Sequence, residues 1–407
     1  MRALGYRLAR DTMSVHAPLK LALVTTGDPE DPAVSSSVPS SLLAALREVV
    51  ETTVAISDAP PARQARAALA LGGLRGLRLR ELLSPADAKT RLRTVGQASR
   101  QFATARRRTA RRRLAAVDDL DGLIQMGADY PAPSGVPMVT RQDSTVIQAV
   151  KAYPWPHLSG LSQRDIDGLV RRQRAAYESA VACCAVTHWV ADSIVTSYGI
   201  PKSKVHVIGT GANHMIPAEE TPNRDWSAPR FLFVGIDWQR KNGPATVAAF
   251  SDVRRQFPEA RLDIVGDHPR VDVDGVTGHG RLAIDDTCDR TALTDLYRRA
   301  TAFVLPSVHE PAGAVYVEAA SAGIASIGTR NGGAATLIGD AGHVVDPDER
   351  GQIVSAMLEL CDPTLAQTLG TRARERAELF TWRKVAERLV RAFGFPTTDL
   401  SGYADFL

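Results

Sequence analysis

Cysteine is scarce. The four in 407 residues, Cys183, Cys184, Cys288 and Cys361, are too few and too unevenly spaced for a disulfide framework or a zinc site. No stretch approaches the ~18 consecutive apolar residues of a membrane span, and the opening MRALGYRLARDTMSVHAP has no apolar signal-peptide core, so the expected location is the cytoplasm. A G-x4-G-K-[ST] loop and paired H-E-x2-H histidines are both missing, which disfavours a P-loop nucleotidase and a zinc hydrolase. Lysine is rare too, seven against 42 arginines, and the resulting net charge of +4 names no partner by itself. What remains is an ordinary folding composition, 44% hydrophobic and 23% charged, on a chain long enough for two domains of roughly 150–200 residues.

An apolar run over 20–26 (KLALVTT) leads into Gly27-Asp28-Pro29, a Ser-rich loop at 35–37 and the helical pattern SLLAALREVV. That is a strand, a loop and a helix, and Gly27-Asp28-Pro29 is the wrong loop for a G-x-G-x-x-G dinucleotide fold. Further strand-like runs cover 52–56, 122–126 (ending at Gly127), 182–186 and 204–208, the 182–186 run inside an otherwise helical 161–197. A proline-bearing stretch at 217–229 reads as a linker. A second rhythm follows, with strands at 231–234, 261–265, 302–305 and 325–328 and helices at 245–257, 291–300 and 315–322 between them. Alternating elements predict parallel sheets with helices on both faces. The expected organisation is therefore α/β: a tail at 1–19, a Rossmann-like domain at 20–216, the linker at 217–229, a second Rossmann-like domain at 230–380, and a helix and tail at 381–407 that closes the second domain or returns to the first. Ligands are expected between the two.

Residues 89–117 hold nine arginines and one lysine with no acid. One reading is a solvated helix face. The other is a docking face for an anionic membrane, with Leu92, Val95, Phe102 and Leu114 as an apolar edge. Nucleic acid is disfavoured, since no base-stacking aromatics interleave the arginines. Asp272-Val273-Asp274 reads as a surface turn.

The most informative segment is FVLPSVHEPAGAVYVEAA at 303–320: a strand, a glycine-bearing turn and a helix. Glu310 lies in the loop and Glu318 about one turn into the helix, so both carboxylates can reach one crevice, where they suit vicinal hydroxyls. The amides around Ala312, Gly313, Ala314 and Val315 open that helix and suit an anionic or polyhydroxyl ligand. A pair of ordinary surface glutamates is the competing reading. This segment resembles the E-x7-E signature of retaining GT-B glycosyltransferases, especially glycosyltransferase family 4, also called glycosyl transferases group 1, over nearly the whole second half. Residues 233–243 (FVGIDWQRKNG) resemble that family's strand and basic loop: Gly235 ends the strand, and Arg240 and Lys241 would neutralise the donor diphosphate. The family often carries Arg where this chain has Ile236. Gly332-Gly333 resembles the family's glycine loop near the diphosphate. Residues 295–300 (DLYRRA) resemble a helix beside the nucleotide base, with Leu296 and Tyr297 read as core.

In the first half, Asp28 and the serines around Ser36 resemble the family's loop facing donor and acceptor. Asp143 resembles an acceptor-side Asp, with a helix N-cap as the alternative. Gln125-Met126-Gly127 stands where many members have a His, so no catalytic His is assigned. The resemblance implies a GT-B fold and a glycosyltransferase moving a sugar from a nucleotide-sugar donor, UDP favoured by frequency, to a small-molecule, glycan or lipid-linked hydroxyl acceptor with retention. It implies Glu310, Arg240 and Lys241 as catalytic and neither metal nor cofactor. The alternative is a degenerate GT-B protein that binds nucleotide-sugar or a partner enzyme without turnover.

Overall fold

A computed structural model describes residues 19–32, 34–74, 93–153, 155, 158, 160–217 and 224–394, with Ser35 and Ser36 in backbone only. Two six-stranded sheets organise them. The first contains β1 (Lys20–Thr25), β2 (Thr52–Ser57), β3 (Gly122–Met126), β4 (Met138–Gln142), β5 (Ala182–Ala185) and β6 (Val205–Val207), in the order β2-β1-β3-β4-β5-β6. Its helices are α1 (Val38–Val49), α2 (Ala62–Leu74), α3 (Arg100–Leu114), α4 (Val146–Ala152), α5 (Gln163–Ser179) and α6 (His188–Thr196). The second contains β7 (Arg230–Val234), β8 (Arg261–Val265), β9 (Val276–Gly280), β10 (Ala302–Val304), β11 (Ala325–Thr329) and β12 (Gly342–Val345), in the order β12-β11-β10-β7-β8-β9. Around it lie α7 (Gly243–Gln256), α8 (Thr287–Arg299), α9 (Ala314–Ser321), α10 (Ala334–Ile338), α11 (Arg350–Glu359) and α12 (Pro363–Ala377), and a last helix, α13 (Trp382–Ala392), follows. All strand pairs are parallel. The central strands are buried on both faces, which is why their apolar runs stand out in the sequence.

Three strands are missing from the sequence reading, each for a physical reason. The end of β4 is polar, with Thr140, Arg141 and Gln142 all buried, so no apolar run marks it. The other two, β9 (VTGHG) and β12 (GHVV), are half-exposed edge strands. Asp274, before β9, is fully exposed and 3.5 Å from Arg254.

The Arg-rich segment divides. Arg106 is buried and donates to both oxygens of Asp58 (3.0 and 2.8 Å), to Asp129 (2.5 Å) and to Thr26. Arg107 and Arg113 reach backbone carbonyls, while Arg108, Arg111 and Arg112 are exposed. The expected apolar edge does not form: Val95 and Leu114 are buried and Phe102 is half-buried, because that side of the helix packs inward, and Leu92 lies outside the described residues.

Of the linker, 218–223 lie outside the described residues. Arg224, beyond them, donates to the carbonyls of Tyr297, Arg298, Ala322 and Gly323 and stacks on Trp226, so that end is fastened to the second domain. After α12 the chain crosses back. Val385, Ala386, Leu389 and Val390 of α13 complete the first domain's core with Leu42, Leu43 and Leu46 of α1, and Arg388 donates to the carbonyl of Ile208 (3.0 Å). Residues 395–407 and 1–18 lie outside the described residues. Leu389→Ala, at a fully buried position, is expected to cost ~2–5 kcal/mol in denaturant unfolding, with the loss felt by the first domain although the residue is distant in sequence.

Candidate active site

Strands β7 and β10 are parallel neighbours, so the loops that follow them emerge side by side at one edge of the sheet. The two loops are joined through the backbone, Val308 N–H to Arg240 C=O at 2.8 Å. This places Lys241 and Arg240 against Glu310, which lies 69 residues beyond Lys241. Lys241 Nζ donates to Glu310 Oε2, Arg240 lies 3.6 Å from the same oxygen, and Ser307 Oγ donates to it at 3.2 Å. Glu310 is only 5% exposed. Burial pushes its carboxyl up, but the charges of Lys241 and Arg240 and the hydrogen bonds from Lys241 and Ser307 outweigh it and hold it below the usual range, so it is ionised at neutral pH.

Several expected donor-site residues act here as spacers. A side chain on Gly235 would lie 2.8 Å from Lys241 Cγ, so glycine lets the lysine stem pass. Gly332, at φ +140, runs beside Glu310, where a Cβ would lie 1.9 Å from the Glu310 carbonyl oxygen. The amides of Gly332 and Gly333 donate to the carbonyls of Arg330 (3.0 Å) and Glu310 (2.9 Å), so this glycine pair pins the Glu310 backbone with its donors already spent. Gly313 caps α9 in the left-handed region, with Ala312, Ala314 and Val315 half-buried around it.

Glu318 sits one turn into α9, 5% exposed, and is held by other partners: the Tyr297 hydroxyl (3.1 Å) and the backbone N–H groups of Asn213 and His214. Burial pushes its carboxyl up to about 7 against these hydrogen bonds. Tyr297 is thus both core, as expected, and a site residue that the sequence reading leaves out. Ile236 is 55% exposed.

The seam between domains is aromatic. The Arg240 guanidinium lies over the Trp155 ring (5.3 Å), and His309 packs against Trp155 (5.9 Å) and Trp189 (5.3 Å). His309 is fully buried. Its Nδ1 is 3.1 Å from the Asn331 carbonyl, its Nε2 has no hydrogen-bond partner among the described residues, and burial lowers its pKa. Nearby, the His188 backbone N–H donates to Thr336 Oγ1 at 3.0 Å. Trp155, Trp189, His309 and Ser307 escape the sequence reading; a tryptophan in a loop carries no local signal.

On the first domain, Asp143 is exposed at the end of β4, while Thr145 rather than Asp143 caps α4. Asp28 is exposed and accepts from the Glu30 backbone (3.0 Å). Ser36 lies in a single 3-10 turn, Val34–Ser37. Among the described residues, no contact joins Asp28 or Asp143 to the Glu310 cluster. Gln125 is buried and donates to the Tyr130 carbonyl (3.2 Å).

Two parallel α/β domains meeting at their strand ends define the GT-B architecture. The chain resembles sucrose-phosphate synthase from Thermosynechococcus elongatus with a TM-score of 0.60 and 20% identity, over 92% of this chain and 98% of that one. A lipopolysaccharide outer core galactosyltransferase gives a TM-score of 0.58 at 13% identity, over 92% and 99%. Residues 228–362, most of the second domain, match the family model described as glycosyl transferases group 1. Glycogen synthase of Mycobacterium tuberculosis is 30% identical over 271 residues, 63% of each chain. The alpha-maltose-1-phosphate synthase of Mycolicibacterium smegmatis is 26% identical over 253 residues, 54% of this chain and 65% of that one. The matched region thus spans a little under two thirds of these relatives.

Folding favours the neutral form of Glu318. Its contribution to stability is fully present below about pH 4.5 and is lost as pH rises through about 7. With ~1.4 kcal/mol per pKa unit, the loss amounts to as much as ~3 kcal/mol. Unfolding of ligand-free wild type and Glu318→Gln across pH 4.5–8 is expected to show the variant gaining on the wild type as pH rises.

Proposed function

We propose that the chain is a glycosyltransferase that moves a sugar from a nucleotide-sugar, UDP-linked by preference, to a hydroxyl acceptor with retention at the anomeric carbon. The observation that carries this is the convergence of Arg240 and Lys241 on a buried, ionised Glu310 where the two domains meet. The names of the M. tuberculosis and M. smegmatis relatives, both synthases of glycosyl compounds, support the reaction type.

In the ligand-free protein Glu310 pairs with both cations, and Asp237 lies 3.4 Å from Arg240. A diphosphate entering beside them competes for Lys241 and Arg240, which frees the Glu310 carboxylate to accept from a donor-sugar hydroxyl. As the anomeric carbon–oxygen bond to the diphosphate breaks, the cations stabilise the charge growing on the leaving oxygen, and such preorganised electrostatic stabilisation is usually the largest single contribution to catalysis. The acceptor oxygen bonds to the anomeric carbon from the same face, and its proton passes to the departing phosphate. Glu318, with Tyr297 beside it, accepts from the ribose hydroxyls. We assign no metal or cofactor to this step; Arg240, Lys241 and the opening amides of α9 supply the positive field.

The experiment is a thermal-shift screen of wild type and Glu318→Ala against UDP-, GDP-, ADP- and dTDP-sugars, with product detection for whichever donor stabilises the protein. One nucleotide class is expected to stabilise wild type and not the variant. Lys241→Met is expected to lower turnover about 10²-fold, as loss of a single transition-state donor does. Nucleotide stabilisation without transfer or donor hydrolysis would favour the degenerate scaffold, for which exposed Ile236 in the basic loop is the motivating residue.

We further infer a cytoplasmic protein with peripheral contact to anionic membranes through exposed Arg108, Arg111 and Arg112. No helix among the described residues is long and apolar enough to cross a membrane. Sedimentation with anionic vesicles is expected to show binding that falls with salt; no binding at low salt removes this contact.

A further inference from the structure

A cavity of about 500 Å³ opens on the first domain's side of the seam, walled by α3, α4 and α5 and reaching Pro311, the residue after Glu310. Trp155 forms part of its wall and also carries the Arg240 guanidinium on its ring, so the cavity ends against the Glu310 cluster. Its size suits a molecule of drug dimensions.

The lining divides by chemistry. Ala98, Phe102, Ala149, Leu158 and Leu169 form an apolar side, where a ligand hydroxyl would be desolvated and unpaired. The polar side holds Gln97, Gln142, Ser144 and Gln173 and two carboxylates, Asp129 and Asp143. Asp143 makes no hydrogen bond among the described residues, and the Asp129 side chain is 47% exposed. Of the cations beside them, Arg106 is paired with Asp58 and Asp129 and also donates to Thr26, while Arg172 gives one N–H to the Ala98 carbonyl. The two-sided lining favours an alcohol with an apolar body and a polar end.

We propose that this cavity is the acceptor site and that the acceptor is an amphiphilic alcohol. Its apolar, ring-sized body packs against Phe102, Leu158, Leu169 and Trp155, and its hydroxyl end lies toward Asp143 and the Glu310 cluster. This rests on the glycosyl-transfer reading and names the acceptor class for that same site.

Calorimetric titration of the full chain with 2-naphthol, myo-inositol and glucose 6-phosphate tests it, with and without the nucleoside diphosphate that stabilises the protein most. The expected result is saturable 2-naphthol binding at least ten-fold tighter than either polar compound. Ala149→Trp, which fills the cavity from a half-buried helix position, and Leu169→Asp, which charges its wall, are each expected to weaken that binding ten-fold or more with circular dichroism unchanged. Tighter binding of inositol or glucose 6-phosphate, or 2-naphthol binding that neither variant alters, overturns the proposal. Nucleotide stabilisation with no naphthol binding discards the acceptor class and leaves glycosyl transfer standing. Naphthol binding in a protein that no nucleotide stabilises removes the transfer reading, and the acceptor role with it.

Discussion

A buried carboxylate held by two cations organises the second domain's functional edge. Glu310 can be ionised while nearly out of water because Lys241 and Arg240 arrive from a neighbouring loop and Ser307 supplies a further donor. The fold serves that arrangement closely. Adjacent parallel strands bring the loops together, Asn242 fastens its own loop to the carbonyls of Pro306 (3.1 Å) and Pro347 (2.9 Å), and glycines at 235, 313 and 332 leave room where any side chain would collide. Removing Glu310 would leave two nearly buried cations short of an anion, and under the proposed function an incoming diphosphate competes with it for them.

The two domains are coupled at this edge by more than a linker. Trp155 and Trp189 press on His309, Glu318 accepts from backbone amides at 213 and 214, and α13 returns from the end of the second domain to complete the first domain's core. A ligand that occupies Arg240 or Glu318 therefore acts on groups that also hold the domains together. This gives a direct physical route from binding to a change in domain arrangement.

Much of the second domain is legible in the sequence because its central strands are apolar runs and its loops carry charge in a compact pattern. The glutamates of 303–320 and the basic pair at 240–241 stand out locally, and their fold-level neighbours follow from strand order. The contacts that tertiary structure creates are not legible. Trp155 and His309 lie far apart in sequence and meet only at the seam, and Tyr297 reads as core because it is core, its hydroxyl reaching Glu318 from inside. Strands β4, β9 and β12 escape because polar burial and edge exposure both erase the apolar signature. The arginine block misleads in part: Arg106 belongs to a buried charge network with Asp58 and Asp129, and composition cannot separate it from its exposed neighbours.

The most direct measurement is a crystal structure of the chain with the nucleoside diphosphate that stabilises it. The account predicts the diphosphate within hydrogen-bond distance of Lys241 and Arg240, the ribose hydroxyls on Glu318, and Lys241 drawn away from Glu310. A nucleotide bound elsewhere, with Lys241 still on Glu310 and Glu318 still on the amides of Asn213 and His214, would contradict it.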